Sequence, residues 1–86
     1  MGNKITLDKV GEFEVIKNTL TPAEVTPYVK EPTNRYLTIL LGQGIVTIDT
    51  VDFKVLAPHT LFISANSERL VANTSTSEEL VWIEIG

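Results

Sequence analysis

Arg35-Tyr36-Leu37-Thr38-Ile39-Leu40-Leu41-Gly42-Gln43-Gly44-Ile45-Val46-Thr47-Ile48 decides the fold class. Its first seven residues are rich in the aromatic and branched side chains that fit a pleated, half-buried surface. Gly42-Gln43-Gly44 then breaks the run, glycine being the residue that reaches backbone angles other side chains avoid. At Ile45 the β-formers resume. The segment reads as a strand, a sharp corner and a second strand. It is not a phosphate-binding loop, because the corner joins two strands and is followed by neither a helix N-terminus nor a lysine.

The same grammar extends in both directions. Asp49-Thr50-Val51-Asp52 is a tight connection into Phe53-Lys54-Val55-Leu56, so the pair predicts a hairpin. Ala57-Pro58-His59-Thr60 reads as a turn before Leu61-Phe62-Ile63, and residues 64–68 form a polar loop before Arg69-Leu70-Val71-Ala72-Asn73. Residues 74–79 are polar, and Leu80-Val81-Trp82-Ile83-Glu84-Ile85 closes the chain as a strand. Toward the N-terminus, residues 28–34 carry Pro32 and follow Pro27, which predicts a loop or a poor edge strand. Thr21-Pro22-Ala23-Glu24 is a turn, and Glu12-Phe13-Glu14-Val15-Ile16 alternates like a half-buried strand. No stretch repeats with helical period. About eight short strands between turns predict an all-β sandwich or barrel, in which closure removes exposed sheet edges.

The 86 residues make one domain, residues 1–86. A hydrophobic share of 43% against 21% charged is that of a globular chain rather than a disordered one. A chain this short hides only about 60% of its unfolded surface, and without cysteine it has no disulfide to compensate. A homodimer is therefore expected. The lack of cysteine also excludes thiol catalysis and cysteine-based zinc sites. Seven basic against eleven acidic residues give a net charge of −4, and no basic cluster is available to displace counterions from a nucleic acid. Apolar runs fall far short of the roughly 20 residues that span a bilayer. Met1-Gly2-Asn3-Lys4-Ile5-Thr6 meets the short N-myristoylation pattern, which is often matched by chance, and the absence of a leader pattern predicts a cytoplasmic protein.

Residues 37–85 resemble the cupin superfamily, small β-barrels of the jelly-roll type. Leu40-Leu41-Gly42-Gln43-Gly44-Ile45-Val46-Thr47-Ile48 is similar to the cupin segment that ends a strand at a glycine corner. Phe53-Lys54-Val55-Leu56-Ala57-Pro58 is similar to the next strand and its proline turn. Leu61-Phe62-Ile63-Ser64 stands where cupins place an apolar strand, Asn73 where the second cupin motif ends in Asn, and residues 80–85 where the barrel closes. Sugar-phosphate-isomerase-associated cupins and the sensing arm of arabinose-type regulators look closest. The resemblance implies a divalent metal held by two histidines and a glutamate of the first motif and one histidine of the second. In this sequence the glutamate position falls on Arg35 and the second-motif histidine on Arg69. The two first-motif histidines fall near Tyr28 or Val29 and Lys30 or Glu31. Arginine keeps its proton and repels a cation, so the expectation is a barrel with no metal and no cofactor.

The same alignment points Arg35 and Arg69 into the cup, where guanidinium groups suit a carboxylate or phosphate. Either arginine has an alternative partner in a neighbouring acid such as Glu31 or Glu68. Tyr36 beside Arg35, and His59 as the sole histidine at the rim, complete the candidate ligand-binding set, although an exposed turn residue is the plainer account of His59. Glu12 with Glu14, and Asp49 with Asp52, read as solvated pairs rather than catalytic carboxylates, and Ser64 and Ser67 lack a nucleophile elbow. Phe53 and Phe62 are expected in the core, and Trp82, if it faces outward, would mark a subunit interface. The reading is of a non-catalytic domain that binds a small anionic or sugar-like molecule in the barrel mouth. Its alternatives are an interaction protein with a filled barrel and a sugar-phosphate isomerase or epimerase, the last disfavoured because the residues of that chemistry are missing.

Overall fold

The computed structural model describes residues 3–10 and 13–86. Met1 and Gly2 of the myristoylation pattern and Glu12 of the Glu12/Glu14 pair lie outside the described residues. Nine strands run through the rest: β1 (Asn3–Val10), β2 (Phe13–Leu20), β3 (Val29–Lys30), β4 (Arg35–Leu41), β5 (Gln43–Ile48), β6 (Val51–Leu56), β7 (His59–Ile63), β8 (Glu68–Asn73) and β9 (Leu80–Ile85). They make two antiparallel sheets, ordered β1-β2-β9-β4-β7 and β3-β8-β5-β6. Among the described residues there is no helix, and so none long and apolar enough to cross a membrane. The all-β architecture anticipated from the alternation is observed, and its two antiparallel sheets are those of the jelly roll that the resemblance implies.

Period-2 alternation decides which side chains are inside. On β4, Leu37 and Ile39 are buried while Tyr36 is exposed, and on β9 Leu80, Trp82 and Glu84 are buried together. Leu37, Ile39, Leu80 and Trp82 meet Leu20, Val46, Val55, Ile63 and Val71 in one core between the sheets. Each such aliphatic side chain contributes about 1.5–3 kcal/mol when removed from water. Trp82 thus packs inside, which closes the reading of an outward tryptophan. Phe62 alternates outward from Leu61 and Ile63 and is half exposed, and Phe53 lies on the edge strand β6 near the hairpin end, where it also stays exposed. Neither phenylalanine is in the core, contrary to the expectation from residue type.

The turns refine the sequence reading. Only Gly42 in the glycine corner has a positive φ, +89°. Gly44 already belongs to β5 and is required for a different reason, since a Cβ there would come within 2.3 Å of the Ala72 carbonyl oxygen. The β5–β6 hairpin closes on Asp49-Thr50, both at positive φ, 46° and 71°, with Ile48 paired to Val51. That is the doubly left-handed geometry that follows strand twist. The strand β7 begins at His59, two residues earlier than its apolar run suggests, because Thr60 pairs with Thr38 and their hydroxyls hydrogen-bond at 3.0 Å. The sequence of β1 alternates from Lys4 to Asp8 and then loses the period, and the strand's register against β2 shifts between Thr6 and Asp8.

Asn73 ties the far end of the cup. Its Nδ2 donates to the carbonyls of Leu20, Thr21 and Glu78 at 3.2, 3.1 and 2.9 Å, and its Oδ1 accepts from Ser75 N at 3.0 Å. One buried amide therefore satisfies the end of β2 and both ends of the 74–79 loop, backbone groups that would otherwise be buried unpaired.

Candidate functional site

Between the sheets, on the side of the core away from Asn73, lies a cavity of about 90 Å³. Ile16, Asn18, Val29, Val71 and Trp82 form much of its wall, with Thr26, Glu31, Arg35, Arg69 and Glu84 supplying the remaining polar and charged groups. Sites for drug-sized ligands span about 300–1,000 Å³, so this one has room for a few heavy atoms only.

Strand alternation puts Arg69 on the same inward face of β8 as Val71 and Asn73. Its Nη2 donates to Oε1 of Glu84, across the gap between the two sheets, and the other carboxylate oxygen, Oε2, accepts from Trp82 Nε1 at 3.0 Å. Both side chains of the ion pair are more than nine-tenths buried. Burying a charge costs several kcal/mol unless it is paired and hydrogen-bonded, and here both acid oxygens have a donor.

Arg35 begins β4 and points inward like Leu37 and Ile39. It is only 4% exposed, yet its bonding is sparse. The nitrogen Nη2 donates to Glu14 Oε1 at 3.4 Å and lies 3.8 Å from Glu31 Oε2. Its Nε and Nη1 are buried without any hydrogen-bond partner. A guanidinium cannot shed its charge to escape this, so these N–H groups stand as unmet donors of a side chain that lines the cavity.

The structure thus brings Arg35 and Arg69 together on one cavity and leaves Tyr36 and His59 out of its lining. Tyr36 is 55% exposed on the opposite face of β4, where its ring packs against Phe62 at 5.2 Å between centroids. His59 is an exposed strand residue paired with Ile39. Of the suspected acids, Glu31 does approach Arg35, whereas Glu68 does not pair with Arg69, whose partner is Glu84. Sequence reasoning missed Glu84, although its spacing from Leu80 and Trp82 places an ionisable group on the inward face. Among the four positions near which the family's first-motif histidines fall, Val29 and Glu31 line the cavity and Tyr28 and Lys30 do not.

These residues do not fit a divalent metal. Two guanidinium groups line the cavity, and Glu31 and Glu84 are each drawn toward an arginine. Among the described residues no group of three or more histidines, cysteines or acids comes together.

No protein-family model matches the sequence, and no curated protein matches it in sequence. Solved structures do match in shape. A cupin superfamily protein from Desulfitobacterium hafniense superimposes with a TM-score of 0.88 at 13% identity, covering 99% of this chain and 75% of that one. The Cnp3 cupin domain of Schizosaccharomyces pombe gives 0.91 at 14% identity, over 98% of this chain and 62% of that one. A protein from Ralstonia eutropha JMP134, named as a candidate mannose-6-phosphate isomerase, gives 0.86 at 16% identity over 99% and 82%. At such identities the likeness is one of fold, and the fold is the cupin jelly roll.

Proposed function

We propose that this cupin-fold chain is a non-catalytic domain that binds a small polar molecule in its cup, with an acidic group of the ligand on Arg35. The observation that carries the reading is the pair of unpartnered buried nitrogens on Arg35. Unmet buried donors cost about 1–3 kcal/mol, which an incoming acceptor returns as affinity. A thermal-shift panel of small carboxylates, phosphate, sugars, sugar phosphates and divalent metals tests it. A ligand at about 100 times its dissociation constant adds about 2.7 kcal/mol, a rise of about ten degrees or more in a domain this small. A response to small acids that Arg35→Met abolishes supports the reading. Stabilisation by metals, or by neutral sugars alone, overturns it.

A second reading, association of two copies, is favoured by the outer face of the larger sheet. Tyr36 and Phe62 stand exposed there beside Val15, Val81, Ile83 and Ile85, with Lys17 the charged residue among them. A two-fold axis would set this apolar face against itself, keeping most of the chain's net negative charge out of the contact. Light scattering on the wild type should give twice the chain mass, and Tyr36→Lys with Phe62→Lys should halve it.

A further inference from the structure

The charges around Arg35 do not balance. Glu14 and Glu31 both approach the single nitrogen Nη2, while Nε and Nη1 have no acceptor. One guanidinium thus serves two partly buried carboxylates, and the corner holds excess negative charge together with unmet donors. A purely anionic ligand would satisfy the donors but place a third negative charge against Glu14 and Glu31. A purely cationic ligand would relieve the acids and leave Nε and Nη1 as they are. Glu31 lines the cavity beside Arg35, and among the described residues its carboxylate has no hydrogen bond and no ion pair nearer than the 3.8 Å approach to Nη2.

We infer that the cup takes a small zwitterion, an α-amino acid or a close analogue, with its carboxylate on Arg35 and its ammonium on Glu31. The inference rests on Arg35 as the anchor proposed above and adds the second charge. The ligand's two groups are separated by one carbon, which suits acid and guanidinium side chains that already lie next to each other. The cavity of about 90 Å³ limits the side chain to a hydrogen or a methyl group, which Ile16, Val29 and Val71 would receive.

Alanine, propionate and ethylamine separate the contributions, since the second lacks the ammonium and the third the carboxylate. Isothermal titration of the full chain should show alanine binding at least about tenfold more tightly than either fragment. The variant Glu31→Gln should lower alanine affinity by a similar factor and leave propionate unchanged or tighter. Its melting temperature, which should match the wild type because Glu31 is partly solvated, reports folding, and the wild-type comparison of the three probes stands without it. Propionate binding as tightly as alanine overturns the zwitterion and leaves Arg35 as an anion anchor. Alanine binding that ignores Glu31→Gln overturns the ammonium site. If neither alanine nor propionate binds, or only ethylamine does, both this inference and the anchor fall.

Discussion

Arg69 and Arg35 enter one cavity from opposite sheets, and the chain treats them differently. Arg69 meets a buried carboxylate whose second oxygen is held by Trp82, so the charges at that corner are matched. Arg35, equally buried, has one long hydrogen bond and two nitrogens with none. A buried charge in a cup is thus not a binding group because of its position. What separates a structural tie from an anchor is the bonding capacity left over once the protein has folded. On that criterion Arg69 with Glu84 holds the two sheets together, and Arg35 is available.

The largest expected effect breaks the matched corner. Glu84→Gln removes the negative partner and leaves Arg69 charged and buried, which should cost about 3–5 kcal/mol in urea unfolding. Replacing both partners, Arg69→Met with Glu84→Leu, should recover most of that loss, since a buried pair exchanged for apolar groups is often neutral or stabilising by about 1–4 kcal/mol. A double variant no more stable than Glu84→Gln alone would show that the pair does more than neutralise itself. Arg35→Met should change stability by no more than about 1 kcal/mol, because the bond lost is long and Glu14 and Glu31 retain contact with water, while ligand responses disappear. A loss of about 3 kcal/mol would instead make the two corners equivalent. The smallest effect is the coupling between Arg35 and Glu14 in a double-mutant cycle, expected below about 1 kcal/mol and reduced further by salt, in contrast to the coupling of Arg69 with Glu84.

The fold was legible because its signals are local. The glycine corner, the Asp49-Thr50 hairpin and the alternation on β4, β8 and β9 each show within a few residues. Where the register shifts, as on β1, the alternation does not run the whole length of the strand. The convergence of Arg35 and Arg69 was legible only through the family resemblance, which puts both at ligand positions. Their different states were not legible, because they depend on Glu84 and Glu14, far away in sequence and brought in by the pairing of β9 and β2 with their neighbours. The phenylalanines misled for a related reason. Phe62 takes a register position that faces outward, and register is a property of the whole sheet, whereas Phe53 faces the same way as Val46 and Val55 but lies near the end of an edge strand that leaves it uncovered.

In the larger sheet, β9 lies between β2 and β4. The last of the nine strands to be synthesised is therefore an interior one, and it supplies Leu80, Trp82 and Glu84 to the core and cup. Until Ile85 has left the ribosome, β2 and β4 have no common neighbour to pair with, and Arg69 has no counter-charge. Folding on the ribosome should stay incomplete until the whole domain has emerged, and then proceed at the slow pace of long-range strand pairing. A nascent chain halted before Leu80 would expose two unpaired strand edges, the state most in need of a chaperone.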